Sequence, residues 1–405
     1  MILTIKGLRI RTAAPLLASA LIGASLGLVP AVGADNQGDG IGTAKFTTNG
    51  SVTNFSASAK TIPYFRSQFT DPTNGVTYAY TMVGTDPSKG NVTTTIPVVI
   101  IPVSFTFATS ADPNFTTLDG STKVNLTVNS PVFQDSNVGK AASATASAPP
   151  ALNAGRTVKE PSDVTQLGDA IYRAQWGKVG TAYHVRLAQP TVLPTQSFAV
   201  PANQGQIVVG SRSHAHIGLM DITWFGDRLN QTLNNLHIDS GTLPIILLYN
   251  TFLYEGDNPA NCCVLGFHGA STSLRGNGQQ QVQTYAFASY SDQGIFSANP
   301  GDTVSFIADI HALSHEVQEW HDDPFVNNAV NPWLTPTAPQ YGCSGLLETG
   351  DPVVGYGFEI MLNGTLYHPE DETHFSWFAR EIPSRAAEGY YTYLNNFPTV
   401  ASGCN

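Results

Sequence analysis

His315, Glu316 and Glu319 are the residues of this chain whose types and spacing could do chemistry. They sit in SHEVQEWHDDP, residues 314–324. Residues four apart on a helix are neighbours, so His315 and Glu319 can reach one cation together. Glu316 points about 100° away and could hold a water beside that cation. This is the logic of HExxH, in which two ligands lie one turn apart and a Glu acts as general base. Here the second His is a Glu, so the motif reads HExxE. A carboxylate is an acceptable zinc ligand, and it suits calcium or magnesium better than imidazole does. Zn2+ is therefore expected, with Ca2+ as the alternative ion. A plainer reading is a buried polar patch in which His315 hydrogen-bonds Glu319.

A third ligand must come from elsewhere. Glu348 and Asp351, in the acidic LLETGD, are the first candidates, because irregular segments often carry site residues. His368 and Asp371 are the second, and His311 on the same helix is the third. His214 and His216 form an HxH pair that would share a strand face, with Asp221 following. Asp322 and Asp323 suit a turn before Pro324 better than a calcium site. His268, in CCVLGFHGA beside the cysteine pair, is read as structural in preference to lining the cleft. There is no GxSxG, P-loop or dinucleotide fingerprint.

These residues need elements to hold them. The spacing of Phe306, Ile310, Leu313, Val317 and Trp320 predicts a helix over 302–324, with His311, His315 and Glu319 in a stripe of their own. GTLPIILLYNTFLY reads as a buried strand and TYAFASYSD as a further strand before that helix. This order is found in zincin-type metallopeptidases. The expected fold class is α/β (α+β): a zincin-like mixed sheet with an active-site helix, preceded by a β-rich N-terminal part. That part spans 61–140, with strands at YFRSQF, VTYAYTMV, Ile96–Phe107 and KVNLTV. Pro97 and Pro102 are expected near strand ends or at a bulge. Residues 141–155 read as a linker or a surface loop, and 156–405 as the α/β body; 61–405 can equally be one domain. Ser162–Trp176 reads as a helix capped by Ser162 or Asp163. Residues 368–382 read as a last amphipathic helix.

Lys6, Arg9 and Arg11, an apolar run from Ala13 to Val29, and Val32-Gly33-Ala34 have the form of a signal peptide over 1–34. Residues 35–60 read as a flexible mature N-terminus. No later run is long and apolar enough for a membrane span. Removing the three basic residues would take the formal charge from −11 to −14, which argues against nucleic acid and anionic membranes as partners. Charged residues are 12% of the 405, about half the usual fraction. Four cysteines in an exported chain suggest disulfides. A bond between adjacent Cys262 and Cys263 is disfavoured here, so each is expected to reach Cys343 or Cys404.

SHEVQEWHDDP, the E-x-x-D from Glu348 to Asp351, GFH at 266–268 and SWF at 376–378 resemble a group of secreted bacterial proteins. Those proteins carry SHExxExxxDP followed by an E-[IV]-x-D segment. More distantly the pattern is similar to the plant Exordium, or phosphate-induced, protein family. The resemblance covers roughly residues 95–404, with the helix motif its specific part. It implies export and a single zincin-like body, and it supplies no established reaction. By position it carries over His315, Glu316, Glu319, Asp323, Glu348 and Asp351. The chain departs at Asp322, where those proteins have Thr, and at Pro352-Val353, where a Cys commonly follows; Cys343 is the implied substitute.

The expected function is a secreted zinc-dependent hydrolase acting on a peptide or protein substrate. His315 and Glu319 would bind the metal, Glu348 or Asp351 would complete it, and Glu316 would be the catalytic base. The rival is a non-catalytic secreted protein with a structural cation, binding cell-wall glycan through exposed aromatics.

Overall fold

The computed structural model describes residues 10–11, 55–56, 58–138, 164–211, 213–256, 258–274, 279–296, 307–337, 342–354, 356–382 and 389–404. The expected signal peptide apart from residues 10–11, most of the flexible N-terminus, the linker, Phe306 and the Ser162 and Asp163 caps lie outside them.

Apolar β-branched runs supply the strands. In chain order the main elements are β1 (Tyr64–Thr70), β2 (Thr77–Val83), β3 (Val98–Phe107), α1 (Leu167–Gln175), β4 (Gly205–Gly210), β5 (His216–Asp221) and α2 (Ile222–Leu236). They continue with β6 (Leu243–Tyr249), β7 (Thr251–Tyr254), β8 (Cys262–Val264), β9 (Gly266–Leu274), β10 (Gln280–Tyr290) and α3 (His311–Asp322). The fold is α+β.

The central sheet runs β3–β6–β10–β9. β3, β6 and β10 are parallel, and β9 pairs antiparallel with β10 at the edge. On its other side β3 pairs in parallel with Thr191–Val192 and Gln196–Val200. β3 comes from the region read as an N-terminal part, yet it lies inside this sheet beside β6. Its buried, two-sided apolar run fits a strand covered on both faces. Pro102 falls inside β3 rather than at an end. It lies between the positions paired with Val192 and Gln196, where the neighbouring strand is interrupted, so its missing N–H breaks no ladder there. A second sheet runs β4–β5–β7–β8. GTLPIILLYNTFLY thus divides between two sheets, at Asn250 with φ +44°.

Several expectations change. KVNLTV is not a strand: Val124–Val128 is a short helix, with the Thr127 hydroxyl donating to the Lys123 carbonyl. Residues 368–382 hold only the short helix Phe375–Phe378. The long helix begins at His311, because Asp309 adopts φ +41° and bridges Ser291. The Asp309 carboxylate accepts the N–H groups of Ile310 and His368, which fixes that bend. β9 had no counterpart in the sequence reading, since GFHGASTSL shows no clean alternation.

The disulfides are also corrected. Cys262 bonds Cys263, and Cys343 bonds Cys404. β8 pairs with β7, whereas Cys343 lies opposite Leu334 on a separate ladder, where the neighbouring Trp333 bridges Gly403. The two pairs are held by different parts of the fold. No helix among the described residues is long and apolar enough to cross a membrane. The described Phe, Trp and Tyr side chains are buried or half-buried.

Candidate metal centre

Every residue of α3 is buried. Leu313, Val317 and Trp320 join the main apolar core, and the helix packs on β9, β10, α1 and β2. Its polar side therefore faces protein rather than water. His315, Glu316 and Glu319 are 0% exposed, as are Glu348 and Asp351.

His315 Nε2 lies 3.3 Å from Glu319 Oε1 and 3.9 Å from Asp351 Oδ1. The edge of a zinc tetrahedron with ~2.0 Å bonds is roughly 3.3 Å, so this spacing suits three donors around one ion. Glu319 is held in place by the N–H groups of Gly350 and Asp351, which donate to Oε1 at 3.2 and 3.3 Å. The Glu348–Asp351 segment thus reaches α3 through its backbone as well as through Asp351. Glu348 itself lies 3.9 Å from His268 Nε2 and outside the three-donor groups.

The residue that sequence reasoning set aside is His268. On β9 it places Nδ1 3.4 Å from Glu316 Oε2 and 3.5 Å from Glu319 Oε2. Its Nε2 is 3.1 Å from the Asp323 carbonyl oxygen. A carbonyl only accepts, so Nε2 carries a proton, and it is Nδ1 that faces the acids, protonated in the metal-free site and free to ligate once that proton is displaced. Gly266, on the same strand, gives Glu316 its space: a Cβ there would stand 2.7 Å from Glu316 Cγ and Oε1. The signal available was a His two residues after a Gly beside the cysteine pair, which is weak without the strand.

Glu370 was also missed. Its Oε2 is 3.2 Å from His315 Nδ1 and 2.7 Å from His311 Nε2. A carboxylate on the back nitrogen of a ligand His fixes ring orientation and raises basicity. His311 is thereby committed to Glu370 and is not one of the three donors. His368 instead pairs with Asp309 at 2.6 Å. Asp371 accepts the N–H groups of Glu372 and Leu394 and the amide of Asn396, so it organises a turn.

His216 stacks on Phe115 and contacts Asp112. His214 precedes the strand with φ +55°, so the two do not share a strand face, and His216's partners belong to a different part of the molecule. Asp323 accepts the N–H groups of Asn327 and Asn328 in the turn after α3. Asp322 accepts from Gln175 and Gln318, and burial pushes its carboxyl up to about 7.

Electrostatics separate the site from ordinary core. Burial alone would lower a histidine, as at His321 on the same helix, pushed down to about 3. Burial acts on His268 in the same direction, yet Glu316 and Glu319 outweigh it and raise it to about 9. Against burial, His315 is raised well above its ordinary value by Glu319 and Glu370. Burial raises Glu316 above the usual carboxylate range. Burial would also raise Glu319, but the charge on His315 wins and holds it well below that range. Among the described residues the ion pairs of Glu316, Glu319, Glu348, Asp351 and Glu370 all come from histidines. Concentrated buried negative charge of this kind costs several kcal/mol per ion unless it is paired, and the geometry of these groups could hold a cation beside the histidines. The donor set of imidazole and carboxylate fits zinc, manganese or iron.

No protein-family model matches this chain, and no curated protein or solved structure is significantly similar to it. The Exordium-like pattern therefore rests on its motif residues, and the function has to be argued from the site.

Proposed function

We propose that the chain is an exported metal-dependent hydrolase acting on peptide bonds. The observation that carries this reading is the convergence of His315, Glu319 and Asp351 on one ion-sized centre with Glu316 beside it. His315 Nε2 and the two carboxylates hold the ion, while Glu370 orients the imidazole through Nδ1. A bound divalent cation supplies Lewis acidity to a carbonyl oxygen and to water. Glu316 does the proton work. Its Oε1 lies 4.0 Å from His315 Nε2, and its raised proton affinity suits a base that accepts a proton and returns it to the leaving amine. Support for export comes from the basic, apolar and small-residue order of 1–34.

The test is peptide-library cleavage read by mass spectrometry, with and without chelator, beside Glu316→Gln. Cleavage should need metal and vanish in the variant while an ion stays bound at His315, Glu319 and Asp351. Metal that stays bound in a wild-type chain that never cleaves a peptide overturns hydrolysis.

Full burial of the five side chains favours a second reading, a structural cation in a non-catalytic protein. There, chelation lowers the melting temperature and no cleavage is found at any metal loading. Elemental analysis adds to this: zinc fits the first reading and calcium the second.

A further inference from the structure

Glu319 turns its two oxygens toward two different imidazoles: Oε1 is 3.3 Å from His315 Nε2, and Oε2 is 3.5 Å from His268 Nδ1. From this division we propose a second divalent cation position, held by His268, Glu316 and Glu319, so that the centre is a carboxylate-bridged pair. The inference rests on the metal-centre reading above and adds a second ion to it.

The two triads are geometrically alike. Each offers one imidazole nitrogen and two carboxylates whose ligand atoms lie within 4.8 Å of one another, and Glu319 belongs to both. In the second triad the nitrogen is 3.4 and 3.5 Å from its two acids, again near the tetrahedral edge of roughly 3.3 Å for ~2.0 Å bonds. The proton on His268 Nε2 is fixed by the Asp323 carbonyl, which leaves Nδ1 as the ligand atom.

Hydrogen bonding supplies an independent reason. His268 Nδ1 and both oxygens of Glu316 are buried and make no well-formed hydrogen bond, the 3.4 Å approach of Nδ1 to Oε2 being a charge contact only. A single ion at His315 and Asp351 leaves all three desolvated, which native structures avoid. A second ion between them takes up Nδ1 and Glu316 Oε2. Glu316 Oε1, on the side of His315, stays available for proton transfer.

Paired metals bridged by protein carboxylates are a recurrent solution for hydrolytic sites.

The test uses the purified chain, stripped with chelator and reloaded with Mn2+. Elemental analysis should give about two ions per chain, and electron paramagnetic resonance should show a spin-coupled pair. His268→Gln should fall to about one ion with an isolated-ion spectrum. Should that variant fail to fold, the wild-type spectrum decides alone. One ion per chain, or two without spin coupling, overturns the pair and leaves the mononuclear reading standing. No bound ion overturns both.

Discussion

Gly350 lies so close to the His315 imidazole that a Cβ built on it would run into Nδ1, Cε1 and Cγ of that ring. The turn carrying Asp351 reaches the helix because this residue has no side chain. Gly350→Ala should therefore destabilise the fold by about 1–3 kcal/mol, the usual cost of overpacking, and weaken metal binding by moving Asp351. Gly345→Ala is the control, since its nearest neighbours are 3.9 Å away. Urea denaturation of both variants checks this; equal midpoints would refute the close-packing argument.

Glu370 braces His315 from behind and has no place among the three donors. Loss of such an outer carboxylate costs about 10–100-fold in metal affinity. Glu370→Gln should show that drop in competition titrations against a chromophoric chelator, with the number of ions at saturation unchanged. A fall in that number would instead make Glu370 a direct ligand.

In the metal-free protein, Glu316 and Glu319 hold the His268 proton more tightly than the unfolded chain does, with a pKa near 9 against an ordinary 6.5. The folded state then binds more protons between those values. Stability from this group is full below about 6.5 and is lost as pH rises through about 9, on the order of 3 kcal/mol. Metal needs the imidazole deprotonated, so the loaded protein should lack this loss. Melting temperatures from pH 6 to 10, with and without metal, measure both slopes. A metal-free chain that gains stability over that range contradicts the assignment.

The two disulfides should differ in weight. Cys343–Cys404 closes a loop with a sequence separation of 61, worth about 4 kcal/mol in the chain-entropy account. Cys262–Cys263 joins neighbours and closes no loop. Replacing Cys343 and Cys404 together by Ser should lower the urea midpoint far more than replacing Cys262 and Cys263. Equal losses would show that the adjacent pair matters through packing in β8.

What the sequence determined by itself was local. The helical period placed His315 and Glu319 on one face, with Glu316 about 100° round from them, because a fixed rotation per residue sets which side chains are neighbours. Apolar runs marked β3, β6 and β10. The helix start escaped because the apolar spacing continues past Asp309, where a left-handed backbone and a hydrogen bond from distant His368 halt it.

Only the tertiary structure decided what surrounds that helix. His268 arrives on an edge strand with little pattern of its own, and Glu370 arrives from an irregular segment expected to be helical. Asp351 rather than Glu348 meets His315, because the backbone at Gly350 can approach the ring and turn the next side chain inward. Chain spacing carries no record of such meetings: they depend on sheet pairing and close packing between segments far apart in sequence, which no local period encodes.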